Sequence, residues 1–358
     1  MDLGLSEGQR AIEGLAREVL AAAADRSQAG RRAVPAESFD RRGWEDLGRV
    51  GLLAVTVPEE AGGSGGGILD ACILLEEAGR AGVPLPVLPT LVAAMTLGRF
   101  GDDDQRSRYL RPVAERHVVA TMATEADGLR VKDGPDGPRL DGACDHVPAA
   151  GEAAWMIVAD GGSGLFVVDM AAAADVVPQP EPGGEPLFRV AFSDAPAEPL
   201  AGGADGVRWL IEHGLAGRCA LQVGLAERAL RITADYTSAR EQFGRPLASF
   251  QAVQQRAADA YIDVETMRLT MWRAAWLLAT DQPAAGAVAV AAFFAAEAGQ
   301  RVMASAQHLH GGIGVDVDYP LHRFVLWSKQ VELALGGANR NLARLGASLA
   351  ITAEEACS

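Results

Sequence analysis

Residues 240–251 read Arg-Glu-Gln-Phe-Gly-Arg-Pro-Leu-Ala-Ser-Phe-Gln, and the fold turns on how this stretch is understood. Before it, Leu221, Leu225, Ala229, Ile232 and Tyr236 recur at three- and four-residue steps, the period of one buried helix face. Gly244 and Pro246 then break that helix, because glycine frees the backbone to turn and proline has no N–H to give to a helical carbonyl. A second helical pattern runs on from Val253. The stretch is therefore a predicted turn between two long helices, and it carries a cation, an aromatic ring and an amide. By residue type alone such a turn is more often a plain connection.

The rest of the chain narrows the class. It has 358 residues, enough for two or three domains and a substantial core. Hydrophobic residues make up 49%, and the many alanines suit closely packed helices. Lys and Arg number 32 against 47 Asp and Glu, a net charge of -15, which argues against nucleic acid or an anionic membrane as partner. Cys72, Cys144, Cys219 and Cys357 lie far apart without CxxC spacing, so buried thiols in a reducing compartment are expected rather than disulfides or zinc. The first ten residues lack the basic start and apolar core of a signal peptide. The most apolar run, residues 283–296, is shorter than the roughly 20 residues a bilayer needs and reads as a core helix. These features predict a soluble cytoplasmic protein.

Taken in order, residues 1–116 read as a helical domain. Ser6 and Gln9 suit a capping box, Ile12, Leu15 and Val19 follow at helical spacing, and Trp44, Leu47, Val50, Leu52 and Leu53 continue the pattern. Residues 55–67, Val-Thr-Val-Pro-Glu-Glu-Ala-Gly-Gly-Ser-Gly-Gly-Gly, form a loop before a helix over about 70–82. The loop lacks the Lys-Ser/Thr ending of a nucleotide-binding loop, so a tight connection is expected. Residues 117–203 change character: short apolar runs at 118–122, 155–158, 165–169 and 187–192 are strand lengths, and Gly134-Pro135-Asp136-Gly137-Pro138 is a hairpin-like turn. A small β-barrel or sandwich is predicted there. Residues 204–358 are helical again. Helix, sheet and helix in succession imply an α+β protein with segregated layers.

A second motif, His308-Leu309-His310-Gly311-Gly312-Ile313-Gly314, is followed by Asp318-Tyr319-Pro320. Paired glycines allow a ligand close to the backbone. The two histidines, at i and i+2, cannot share a helix face, and no third ligand type lies nearby, which speaks against a metal.

Arg240, Phe243, Gly244 and Gln251 resemble the R-x-x-F-G…Q signature of the acyl-CoA dehydrogenase family. The glycine pair resembles that family's Q-x-x-G-G-x-G…E-Y-P segment, with His308 in place of Gln. The wording of residues 57–81, Val-Pro-Glu-Glu-x-Gly-Gly-x-Gly with Asp70 and Glu76-Glu77-x-Gly-Arg-Ala, resembles its N-terminal domain. The likeness covers nearly the whole chain and implies a helical N-terminal domain, a central β-domain and a C-terminal four-helix bundle. It implies α,β-dehydrogenation of an acyl-CoA thioester: a carboxylate takes the α-proton, hydride passes to FAD, and an electron-transfer flavoprotein receives the electrons. Arg240, Phe243, Gln251, His308, Gly311 and Gly312 fall where the family holds the ADP half of a neighbouring subunit's FAD.

The departures are as informative. The family's usual base, in a Tyr-Glu-Gly-Thr motif, aligns with Leu335; a second branch's base position aligns with Gly214. The flavin-ring motif C-V-T-E-P-x-A-G-S-D is reduced to Met122-Ala123-Thr124-Glu125-Ala126-Asp127-Gly128, where Thr124 and Glu125 survive, and the Trp-Ile-Thr/Ser motif to His146-Val147-Pro148. Ring-side residues are lost while tail-side residues remain. That asymmetry resembles the base-less subunits of actinobacterial heterotetrameric (α2β2) acyl-CoA dehydrogenases, which carry similar Asp-Tyr-Pro-Leu-His-Arg…Leu-Gly-Gly-Ala wording and often act on steroid side-chain thioesters. The resemblance thus implies a homologous catalytic subunit as partner. Two alternatives stand: a self-sufficient homo-oligomeric dehydrogenase with a relocated base (Glu332, one helical turn from Leu335, or Asp316 or Asp318), and a flavin-free acyl-CoA-binding or scaffold protein.

Overall fold

The computed structural model describes residues 4–29, 39–124, 128–161, 164–173 and 175–357. The first helix, α1 (Glu7–Ala29), opens on the expected capping box: Gln9 N–H donates to Ser6 Oγ at 3.2 Å and Ser6 N–H to Gln9 Oε1 at 3.0 Å. Helix α2 (Arg41–Arg49) ends sooner than the apolar pattern suggests. Gly51 adopts a left-handed φ of 81°, and Leu52 and Leu53 reach the core from a 3-10 turn instead. Residues 55–67 are a connection that folds back on itself, Gly65 and Gly66 N–H donating to Val57 and Val55 carbonyls at 2.9 and 2.8 Å. They lead into α3 (Ile68–Ala81), where Asp70 accepts from Gly67 N–H at 2.9 Å. Then follow the buried α4 (Val87–Phe100), α5 (Asp103–Gln105), a π-turn (Arg106–Leu110) and α6 (Arg111–Arg116).

The central region contains β1 (Val119–Ala123), β2 (Arg130–Gly134), β3 (Gly137–Pro148), β4 (Ala153–Ala159), β5 (Leu165–Asp169), β6 (Asp175–Gln179), β7 (Leu187–Pro196) and β8 (Glu198–Pro199). They form two four-stranded sheets, β1-β4-β5-β8 and β2-β3-β7-β6. The turn expected at 134–138 closes the β2–β3 hairpin: Gly134 pairs with Gly137 and leaves Pro135 and Asp136 as the loop. Met156, Val158, Phe166 and Val168 meet Leu140, Val147, Phe188 and Val190 of the other sheet in a small core. The alternate residues Trp155, Ile157, Leu165 and Val167 point the other way, into the main helical core. The first sheet is therefore buried on both faces, which explains its unbroken apolar runs.

The C-terminal region comprises α7 (Gly203–Ala239), the paired strands β9 (Glu241–Gln242) and β10 (Arg245–Pro246), α8 (Gln251–Ala279), α9 (Ala285–His310), α10 (Leu321–Ala334) and α11 (Gly337–Cys357). Helix α9 is central and packs against α7, α8, α10 and α11. The stretch Ala285–Val315 is long and apolar enough to cross a membrane by composition, but Val288, Ala291, Ala292, Ala295 and Ala298 are buried in the bundle. The N-terminal helices join this bundle at a close crossing of α3 and α7. A Cβ on Gly224 would lie 2.0 Å from the Glu76 carbonyl, and one on Gly79 2.2 Å from the Leu221 carbonyl. Only two glycines allow the backbones so near. The α+β class and the helix–sheet–helix order expected from the sequence both hold.

Candidate functional site

The organising turn is a closed β-hairpin. Helix α7 ends at Ala239, where Arg240 N–H still donates to the Tyr236 carbonyl at 2.8 Å. Gln242 then pairs with Arg245 and Glu241 with Pro246, leaving Phe243 and Gly244 as a two-residue loop with φ of 54° and 76°. Positive φ at both positions is the geometry that matches the twist of a hairpin. Leu247 N–H donates to the Arg240 carbonyl at 2.8 Å and fastens the base. Phe243 is 91% exposed at the tip, touched edge-on by Phe250, over which the Arg245 guanidinium sits at 4.0 Å. Arg240 and Gln251 are exposed beside it.

The histidine–glycine motif meets this hairpin's root. His310 is buried at the end of α9 and stacks on Tyr236 with centroids 4.4 Å apart. Its Nδ1 lies 2.8 Å from the Ala306 carbonyl and its Nε2 3.1 Å from the Tyr319 hydroxyl. A carbonyl only accepts, so Nδ1 carries the hydrogen and Nε2 accepts from Tyr319. Burial lowers the pKa and keeps this imidazole neutral. His310 is thus an anchor. His308 is exposed and lines a surface groove of about 810 Å³ with Val253 and Arg256 of α8 and Arg301 of α9. Beyond them a Cβ on Gly311 or Gly312 would meet nothing within 4 Å. The chain's own packing does not ask for a missing side chain at Gly312; the bare backbone faces open space. An exposed arginine, an exposed ring and bare backbone amides suit the phosphate and adenosine portions of a nucleotide.

The second site is a cleft of about 900 Å³ between the sandwich and helices α7 and α10. Thr124, His146, Pro148, Leu187, Arg218, Val331 and Ala334 are on its wall. The rest of the surviving ring motif, Glu125, Ala126 and Asp127, lies outside the described residues. His146 has a positive φ of 55°, and the Pro148 carbonyl is taken by the Thr121 hydroxyl at 2.5 Å. Neither expected base position offers an acid. Leu335 is 0% exposed and belongs to the bundle core, while Leu333 and Ala334 face the cleft. At Gly214 a Cβ would lie 3.2 Å from Arg218 Nη1 and 3.3 Å from the Met122 methyl, so a cation occupies that corner. Glu332 is ion-paired with Lys329 and is not among the residues lining the cleft. Asp316 and Asp318 sit on an exposed turn, Asp318 N–H donating to Asp316 Oδ1 at 2.9 Å.

One cleft residue went unnoticed in the sequence. Glu185 lies in the loop between β6 and β7, which is latched to α10: Glu185 N–H donates to Gln330 Oε1 at 3.0 Å, and Gln330 Nε2 donates back to the Glu185 carbonyl at 2.7 Å. Gly183 and Gly184 precede it with φ of 145° and 121°, and a Cβ on Gly184 would fall 2.2 Å from Trp327 Cδ1. Burial pushes the Glu185 carboxyl up to about 7, although Arg218 pulls the other way. A glutamate in a Pro- and Gly-rich loop reads as solvent-facing, and only the tertiary latch turns it inward.

Two helical units around a β-sandwich, with a cleft where sheet meets helices, form the acyl-CoA dehydrogenase fold. Residues 6–117 match the model of the acyl-CoA dehydrogenase N-terminal domain and residues 201–350 that of the C-terminal domain, and the chain belongs to the acyl-CoA dehydrogenase family. It is 37% identical over 338 residues to acyl-CoA dehydrogenase FadE27 of Mycobacterium tuberculosis, covering 88% of this chain and 90% of that one. Among solved structures it resembles the Tcur3481–Tcur3483 steroid ACAD G363A variant, with 39% identity, a TM-score of 0.90 and 98% and 99% of the two chains covered. It also resembles the ChsE4–ChsE5 complex from Mycobacterium tuberculosis, at 34% identity, TM-score 0.89 and the same coverage.

Proposed function

We propose that this chain is the non-catalytic subunit of a cytoplasmic, heterotetrameric, FAD-dependent acyl-CoA dehydrogenase. The complex oxidises the α,β-bond of an acyl-CoA thioester with a bulky acyl group, such as a steroid side chain. The observation that carries the reading is the contrast between the two sites. The base positions hold a core leucine, Leu335, and a glycine overlain by Arg218, whereas Arg240, Phe243, Gln251, His308, Gly311 and Gly312 are all exposed. Residues presented outward from one chain are useful to a ligand seated mainly in another. Two of the solved relatives support the heteromeric reading, one named as a ChsE4–ChsE5 complex and one as a steroid ACAD.

In this arrangement the flavin, when bound, supplies the hydride acceptor, and an electron-transfer flavoprotein takes its electrons. Arg240, Phe243, Gln251, His308, Gly311 and Gly312 would hold the ADP half of that flavin, with the Arg240 guanidinium near its pyrophosphate. Thr124 is the residue of the ring motif that this chain's own cleft retains. We assign residues 1–116, 117–203 and 204–358 to the three domains. The buried, unpaired Cys72, Cys144 and Cys219 fit a reducing compartment.

The test is the substitution Arg240→Ala in the complex with its catalytic partner. A hydrogen bond to a charged group is worth about 1.5–3 kcal/mol, so FAD should bind about 10- to 150-fold more weakly. The chemical step at saturating FAD and the stability of the lone chain should hardly change. An unchanged FAD dissociation constant, with a less stable lone chain, would make Arg240 a clamp on its hairpin and overturn the assignment.

A further inference from the structure

We propose that Glu185 is the proton acceptor of this chain's own cleft, placed to take a hydrogen from the carbon next to a thioester carbonyl. The proposal rests on the reading above only for the class of ligand, an acyl thioester. It does not require the heteromeric assignment, and it concerns hydrogen exchange in this chain's own cleft, not the dehydrogenation assigned to the partner.

Two carboxylates line the described wall of the cleft, Asp145 and Glu185. Asp145 is exposed and already occupied: Arg189 Nη1 donates to both of its oxygens at 2.8 and 2.9 Å, and Gln179 Nε2 donates at 2.9 Å. Among the described residues no side chain donates a hydrogen bond to the Glu185 carboxyl. Its backbone, by contrast, is held on both sides by Gln330, and Gly183 and Gly184 before it fit against Leu326 and Trp327 with no room for a side chain. A general base needs that combination: a fixed origin, a free carboxyl and a partly desolvated setting. A carboxyl titrating near 7 is half ionised at neutral pH, the balance that favours proton transfer.

Arg218 completes the pair. Its guanidinium stands over Gly214, where a side chain would press against it, and it faces the same cleft as Glu185. When a proton leaves the α-carbon, the C–H electron pair moves into the thioester and charge develops on the carbonyl oxygen, where a guanidinium stabilises it. The Glu185 carboxylate becomes a carboxylic acid. Return of a solvent-exchanged proton to the same carbon restores both partners. The net change is replacement of α-hydrogen by solvent hydrogen, and neither oxidant nor reductant is consumed. A volume of about 900 Å³ admits such a ligand.

The other charged or titratable groups on this wall are Arg189, Arg340, Asp145 and His146, and Glu181 shares the loop. Each differs from Glu185 in place or charge, so a pH profile must be read on Glu185 variants rather than on the wild type alone.

The experiment uses the full chain without the catalytic partner, whose own base would exchange the same hydrogens, with phenylacetyl-CoA in deuterium oxide; the aryl group acidifies the α-carbon, and proton NMR follows loss of its signal. The wild type should exchange the α-hydrogens faster than buffer, with a rate that climbs through about pH 7 and levels off. Glu185→Gln should lower the catalysed rate about 100-fold or more, and Glu185→Asp should fall between. Thermal unfolding above pH 7 should show Glu185→Gln more stable than the wild type, because a desolvated charge is gone. Wild-type exchange no faster than buffer, or undiminished exchange in Glu185→Gln, overturns the proposal; if that variant does not fold, undiminished exchange in Glu185→Asp with an unmoved pH profile does so. The FAD titration of Arg240→Ala is independent of all these results, so either reading can fall while the other stands.

Discussion

Placing an acid at the family's base position is the obvious attempt to make this chain self-sufficient, and Leu335→Glu should fail for a reason visible in the packing. Leu335 is 0% exposed. Its N–H donates to the Val331 carbonyl at 2.9 Å, and its own carbonyl accepts from Asn341 Nδ2 at 3.0 Å and Arg344 Nη1 at 3.3 Å, so the backbone cannot turn the side chain outward cheaply. Replacing a buried leucine forfeits roughly 1.5–3 kcal/mol of apolar transfer. Burying a carboxyl without a partner adds about 1–3 kcal/mol even when it is protonated. The sum, about 2.5–6 kcal/mol, is a large share of the roughly 5–15 kcal/mol that holds a domain together. Desolvation raises the new acid's pKa, so the loss deepens by about 1.4 kcal/mol for each pH unit between the unfolded glutamate's pKa of about 4.3 and the raised folded value, and levels off above it. Urea unfolding of the lone chain at pH 5.5 and pH 8 measures both parts, and dehydrogenase assays with FAD and acyl-CoA measure any gain. We expect a lower midpoint at pH 5.5, a still lower one at pH 8 and no turnover. A Leu335→Glu chain as stable as the wild type and active alone would show that this side chain faces the cleft and that the account of the site is mistaken.

Two further substitutions probe the scaffold. Gly224→Ala should destabilise by about 3 kcal/mol or more, since its Cβ would fall 2.0 Å from the Glu76 carbonyl and 2.7 Å from Arg80 N; a cost within about 0.5 kcal/mol of zero would mean that the helices separate freely. His213 is 3% exposed and stacked on Trp209, and burial drops its pKa to about 4. The unfolded chain takes up a proton near pH 6.5 that the native site refuses, so stability should fall as pH drops from about 6.5 to about 4, by at most roughly 3 kcal/mol. Comparing acid titrations of the wild type and His213→Phe isolates this part, and parallel curves would refute it.

Much of the fold was legible because its signals are local. The Ser6–Gln9 box, the strand at 165–169 and the Pro135–Asp136 turn are each specified by neighbouring residues. What escaped was set by partners distant in the chain. Residues 130–134 read as polar because β2 covers a sheet edge, and 137–148 were noted only for the turn at their start. Val50 to Leu53 kept a helical period that Gly51 interrupts. At the site, residues 240–251 and 308–314 stood out through their resemblance to family motifs, since their residue types alone also suit ordinary connections. Glu185 did not, since its inward direction depends on Gln330, 145 residues away. Glu332 was attractive from spacing alone, and its pairing with Lys329 is a matter of which face of α10 it occupies.

The α3–α7 crossing is also a matter of timing. Around it, Arg80 bonds Glu227 at 2.7 Å across 147 residues of chain, and Arg268 bonds Glu76 at 3.2 Å across 192. Glu76 and Glu77 are buried acids on α3, and Glu76 and its neighbour Glu227 are each paired with both Arg80 of α3 and Arg268 of α8. As the chain leaves the ribosome, α3 emerges with its carboxylates and the bare backbone at Gly79 uncovered, and it waits for α7 and α8. At about 5–20 residues per second that wait is roughly 10–40 s. The first third of the protein therefore completes this face of α3 only when the last third arrives. Until then Glu76 lacks the partner on α8 that the finished fold gives it, Arg268.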